Sequence, residues 1–167
     1  MVQISPKLKE IVKAQLEERA TRTGADAARP ITTVKCEALY DLQFRATVEG
    51  HSFIMDERKS SGGHDAGPAP MRYYAAGIMG SDQVWLVKTA ALMDLSMDRL
   101  EGEISLYNGR IAYTVFIDSP NSDDQVVDLV QQSRDRRGTF KSLARTTRVE
   151  LKVVHNGNTL VEQALEE

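Results

Sequence analysis

A single cysteine, Cys36, is all the thiol this chain holds. No intrachain disulfide can form, so a small fold stapled by bridges is excluded, and a reducing compartment is the natural setting. Aromatic residues are only 6% of 167 positions, with one tryptophan and five prolines, which excludes a proline-rich recognition tract. No stretch approaches the roughly 18 consecutive apolar residues of a membrane span. The opening MVQISPKLKEIVKAQLEERA alternates charged and apolar residues and lacks the apolar core and small-residue cleavage site of a secretory leader, so a cytoplasmic protein without membrane attachment is expected. Positive charge is also in short supply. A formal net charge of −3 and a pI near 5.7 leave no basic field for nucleic acid, which clustered Lys and Arg would have to supply.

What remains is 41% hydrophobic and 27% charged, enough for one globular domain that buries roughly 70% of its unfolded surface. Leu8, Ile11, Val12 and Leu16 recur at helical spacing after Pro6, which predicts an amphipathic helix over residues 5–21. TGADAARP then ends it, giving an N-terminal helix and linker over 1–29 and a main domain over 30–167. Residues 31–56 read as three antiparallel strands, with Glu49-Gly50 turning between two of them. Residues 71–94 form a long helix of roughly 36 Å. Asn108-Gly109 joins strands 100–107 and 111–118 as a hairpin, Ser122-Asp-Asp-Gln125 opens a second, shorter helix as a capping box, and 149–154 alternates as a final strand. The fold class is α+β.

The long helix is rich in Ala75, Ala76, Gly77, Gly80 and Ser81. Glycine inside a helix costs up to about 1 kcal/mol against alanine, so close packing must offset it, either against the chain's own sheet or against a second copy.

Residues 62–81, GGHDAGPAPMRYYAAGIMGS, carry the most specific signal. An extended segment ending in Asp56-Glu57, a glycine loop, Gly-Pro-x-Pro and then the helix resemble the OsmC/Ohr family, with the similarity running from about Ile31 to His155. The resemblance implies an intertwined homodimer with antiparallel sheets around the central helices, the N-terminal helix being an addition, and two pockets at the subunit interface. Members that reduce organic hydroperoxides carry a cysteine eleven residues after the second proline; that position here is Ser81. Their resolving cysteine and the proline after it fall at Arg137 and Gly138. The acidic residue that orients an arginine over the thiolate falls at Met71 or Arg72, and Arg45 is the nearest candidate for that arginine. A serine cannot cycle through sulfenic acid, so the resemblance implies a preserved frame without its thiol peroxidase centre.

The leading expectation is therefore a protein that needs no cofactor or metal and binds a small anionic or amphipathic molecule at the interface pocket, through Ser81, Arg137, Arg72, Tyr74 and Arg45. Two rivals stand beside it: a hydroperoxide reductase or redox stress protein with non-standard catalytic residues, and an interaction protein that docks a partner through its N-terminal helix. Cys36 reads as a structural thiol before a redox one. His51 and His64, with Asp56, Asp65 and Asp82, allow a metal site or a Ser81-centred hydrolase to be drawn, but neither ligand spacing nor a Gly-x-Ser-x-Gly elbow supports it. SSGGHDAG lacks the Lys-Ser/Thr ending of a phosphate loop. Arg134, Arg136 and Arg137 complement a helix C-terminus or form an anion-binding rim. Tyr73, Tyr74 and Trp85 read as core or subunit contacts before ligand stackers.

Overall fold

The computed structural model describes residues 2–22, 30, 32–136, 145 and 147–165. The chain divides into two compact units, Ala20–Tyr74 and Met1–Arg19 with Ala75–Glu167.

The first unit is a three-stranded antiparallel meander, β1 (Lys35–Tyr40), β2 (Gln43–Val48) and β3 (His51–Met55), in that order. Its turns use left-handed backbone: Asp41 at φ 45°, then Glu49 and Gly50 at φ 49° and 83°. Two consecutive left-handed residues match the right-handed twist of the flanking strands. Ala46 is the buried centre of β2. Beyond β3, a loop containing a 3₁₀ turn (Lys59–Ser61) leads to the helix that begins at Pro70. Tyr73 clamps that helix start to β3: its hydroxyl donates to the Ile54 carbonyl at 2.8 Å, and its ring lies 4.8 Å from that of Phe53.

The loop is organised by one carboxylate. Asp56 is fully buried and accepts the backbone N–H groups of Glu57, His64 and Ala66 at 2.8, 3.1 and 3.2 Å. Burial pushes its carboxyl up, but these donors, with Gln43, outweigh burial and hold it below the usual carboxylate range. Two glycines make the wrap possible. A Cβ on Gly63 would fall 2.1 Å from the Glu57 carbonyl oxygen, and one on Gly67 would fall 2.3 Å from that of Ile54.

The second unit holds α1 (Pro6–Thr21) up to Arg19, most of α2 (Pro70–Leu92), β4 (Arg99–Tyr107), β5 (Arg110–Asp118), α3 (Asp123–Arg136), β6 (Arg148–His155) and β7 (Asn158–Leu165). The strands form one sheet in chain order. β5 and β6 alternate strictly: Ile111, Tyr113, Val115 and Ile117 of one, and Val149, Leu151 and Val153 of the other, point into a core shared with Leu86, Ala90, Met97, Val126 and Leu129. Their outer faces carry paired charges, among them Arg110 and Arg148 with Glu150 and Lys152 with Glu162.

The sequence reading is corrected at three points. The sheet is mixed, since β5 and β6 run parallel. Parallel neighbours need a long crossover, which the segment containing α3 supplies. A further strand, β7, follows the one expected to be last, turning at Asn156-Gly157 with φ 48° and 85°. In α1 the apolar stripe is narrower than expected: Val12 is buried, but Ile11 lies exposed. The helix is tied into its own unit. Lys9 pairs with Asp94, Lys88 donates to Gln15 at 3.0 Å, and the Val2 N–H reaches the Met97 carbonyl at 2.9 Å. Among the described residues no helix is long and apolar enough to cross a membrane.

The glycines make a test. Gly63→Ala should lose about 3 kcal/mol, because its Cβ meets backbone that cannot yield. Gly77→Ala should not destabilise an isolated chain, as no described atom lies within 4 Å of its Cβ. Urea unfolding of both variants checks the contrast.

Candidate functional site

α2 contains two kinds of surface. Ile78, Met79, Asp82, Leu86, Thr89, Ala90 and Ala91 are its buried positions; of these, Ile78, Asp82, Leu86 and Thr89 recur three and four apart along one helical face. On the opposite side Val84 is 51% exposed, and Gly77 lies seven residues before it. Nothing within 4 Å awaits a Cβ on Gly77 or Gly80. Among the described residues, no close contact therefore requires glycine at either position.

Ser81 lies at the border of these surfaces, half-buried. The next residue, Asp82, is turned fully inward at 1% exposure. Burial pushes its carboxyl up to about 8, against a smaller opposing pull from the Arg134 charge on α3. Arg134 is half-buried, and its own desolvation lowers its pKa; beside it Ser133 is fully buried. Arg136 bonds back to Gln132, reaching the backbone carbonyl at 2.9 Å and the side-chain oxygen at 3.2 Å. Next to Ser81 in the chain, the structure thus offers an inward carboxyl whose pKa burial raises, and a partly desolvated guanidinium on α3 that acts on that carboxyl. These groups can donate hydrogen bonds and balance negative charge, but none supplies a thiolate.

The other expected residues fall as follows. Arg72 and Tyr74 are exposed in the first turns of α2. Arg45 is exposed on β2, paired with Glu37 at 3.2 Å. Arg137, with Gly138, lies outside the described residues. Cys36 is an exposed free thiol on β1. His64 is bonded to Asp41 at 3.0 Å and stacked at 4.8 Å on Tyr40, and Asp56 is committed to the loop amides, so the drawn metal and hydrolase sets are engaged elsewhere. Among the described residues no group of three His, Cys, Asp or Glu is placed to hold a metal.

Sequence reasoning passed over Asp82 as a site residue. The signal was present: Asp82 sits four residues from both Ile78 and Leu86, so helical periodicity alone turns it inward.

No family model matches the sequence, and no curated protein matches it. Solved structures do. An OsmC-like protein from Mycoplasma pneumoniae superposes with a TM-score of 0.67 at 14% identity, over 75% of this chain and 97% of that one. OhrB, the organic hydroperoxide resistance protein of Bacillus subtilis, gives 0.54 at 19% identity, over 76% and 100%. An organic hydroperoxide resistance protein of Vibrio cholerae, with captopril bound in one of its active sites, gives 0.58 at 13% identity, over 79% and 96%. The chain has the fold of the OsmC-like and Ohr proteins.

The inward carboxyl predicts a pH effect. A carboxyl whose folded pKa is raised opposes folding progressively as pH rises from its unfolded value near 3.8 to about 8. Asp82→Asn should therefore gain stability over wild type at pH 8.5, by several °C in Tm, and lose that advantage at pH 4. Thermal melts at the two pH values measure it.

Proposed function

We propose that this chain is a divergent, cytoplasmic member of the OsmC/Ohr family that has given up thiol peroxidase chemistry and binds a small anionic or amphipathic molecule in a pocket at the interface of a homodimer. The observation that carries the reading is the surroundings of Ser81. At the family's reactive-thiol position stands a hydroxyl, followed by a buried acid facing a partly desolvated arginine. Such a site can recognise an oxyanion, by charge from Arg134 and hydrogen bonds from Ser81. Arg72, Tyr74, Arg45 and Arg137 are the further candidate contacts. The captopril in an active site of the Vibrio cholerae protein supports the fold's capacity to hold a small molecule.

The open face of α2 supports the homodimer. Val84 leaves apolar area in water, and the bare backbone at Gly77 and Gly80 would allow a second helix to approach closely. The partner-docking reading of α1 is disfavoured, because its only buried side chain, Val12, and its Lys9 and Gln15 bonds are used within its own unit. The peroxidase rival would have to run on Cys36; it would stand if peroxide consumption with a dithiol reductant were measurable and vanished in Cys36→Ala.

Native mass spectrometry of freshly purified protein tests the reading: a dimer carrying a reproducible extra mass is expected, reduced in Arg134→Ala and Arg72→Ala. A bare dimer would count against ligand binding, and a monomer against the family assignment. Gly77→Leu should yield a folded monomer by the same measurement. Ser81→Cys should restore little peroxide turnover, since one thiol without a resolving partner cannot complete the cycle.

A further inference from the structure

Away from α2, the second unit contains a closed polar network that no part of the proposed function uses. Ser119 follows β5, and His155 and Asn156 form the end of β6 and its turn into β7. Ser119 and His155 are buried, at 5 and 3% exposure. The Ser119 hydroxyl lies 3.0 Å from His155 Nε2, and His155 Nδ1 lies 2.6 Å from Asp123 Oδ1 in the first turn of α3. Asn156 completes the ring. Its Oδ1 accepts the Ser119 N–H at 3.0 Å, while its Nδ2 donates to the Ser119 carbonyl at 2.9 Å and lies 3.1 Å from His155 Nε2.

The connectivity fixes the protons. The Ser119 N–H can only donate, so the oxygen of the Asn156 amide must face it and Nδ2 must face the imidazole. Nε2 therefore meets a donor and must carry a lone pair. The ring proton sits on Nδ1 and is given to Asp123, and the Ser119 hydroxyl donates to Nε2. This is the hydrogen-bond order of a serine hydrolase relay, but the electrophilic half of such a site is missing. The Ser119 N–H is already taken by Asn156, and residue 120 is proline, which has no N–H. Neither backbone donor at or just after the serine is available to a developing oxyanion.

We infer that His155 is a proton-operated clasp: neutral, it lets Asn156 lock the residue after β5 to the β6–β7 turn, and a second proton on its ring opens that lock while the bond to Asp123 of α3 is kept. A proton on Nε2 would set N–H against the Asn156 N–H. The Ser119 hydroxyl can rotate to accept, whereas the Asn156 amide cannot flip without opposing the Ser119 N–H, so Asn156 must swing away and leave that N–H unbonded. The charge that faces the ring comes from Asp123 of α3, 70% exposed and screened by water. From β7 the residue opposite is the uncharged Asn158, and Asp118 of β5 is paired with Arg99. A second proton on the ring would thus release Ser119 from the β6–β7 turn, while the Nδ1–H given to the Asp123 carboxylate holds the start of α3.

Imidazole ¹⁵N shifts and the exchange protection of the Ser119 amide test this on the intact protein. At neutral pH Nδ1 should be protonated and Nε2 bare. On acidification, as His155 titrates, Ser119 protection, corrected for the intrinsic rate, should fall about tenfold, the equivalent of one net hydrogen bond. In Asp123→Asn, where the favouring charge is gone and the exposed site tolerates change, the fall should move to lower pH. In His155→Gln it should disappear. A protonated Nε2 at neutral pH, Ser119 protection that ignores the titration, an unmoved midpoint in Asp123→Asn, or covalent labelling of Ser119 by a fluorophosphonate would each overturn the assignment.

Discussion

The parallel pairing of β5 with β6 is the constraint from which the larger unit follows. Each strand buries every second side chain, and together they present one continuous apolar face from Ile111 to Ile117 and from Val149 to Val153. Two neighbours that run the same way cannot be joined by a turn, so the chain must leave the end of β5, cross the face and return. α3 lies on that crossing, and its buried Val126, Leu129 and Val130 cover the face as it goes. Its start is fixed twice, by the reciprocal Ser122–Gln125 cap and by Asp123 through His155. With α3 placed, Arg134 comes to face Asp82 of α2. The electrostatics around Ser81 are thus a consequence of strand order.

α2 meets two demands with one sequence. One face packs a core; the other carries Gly77 and Gly80, whose Cβ positions would meet no described atom within 4 Å, and the exposed Val84. Ser81 sits where the faces meet, so a group there is sheltered without being sealed. Its hydroxyl can exchange hydrogen bonds there but cannot take part in thiol redox chemistry.

Much of this was legible in the sequence because it rests on local chemistry. Glu49-Gly50 and Asn108-Gly109 marked hairpins through the backbone their turns require. Ser122 and Gln125 marked a helix start through two reciprocal bonds, and both form. Asn156-Gly157 carried the same signal as Asn108-Gly109, but the residues after it, with Glu162, Gln163 and Glu166, look too polar for a strand. β7 lies at the sheet edge, where polar side chains are tolerated, and that was the missed point. The inward turn of Asp82 was encoded in helical periodicity and obscured by the rule that acids face water. The network of Ser119, Asp123 and His155 had no local signature, since 36 residues separate the serine from the histidine and only the parallel register brings them together. Candidate binding residues could be proposed by likeness, yet what a site binds is not a property of spacing.

The Asp56 loop has a different architecture of risk from the sheets around it. A ladder spreads its hydrogen bonds over many residues, so it can fray from one end and lose stability in instalments. Here three backbone donors converge on a single side chain, and two glycines have removed the bulk that would otherwise prop the loop open or hold it in another shape. Backbone bonds such as Asp65 N–H to the Glu57 carbonyl and Gly63 N–H to the Arg58 carbonyl support the same shape. It is a keystone arrangement all the same, and the feature that makes the segment leading into the long helix compact concentrates its vulnerability to mutation in one carboxylate.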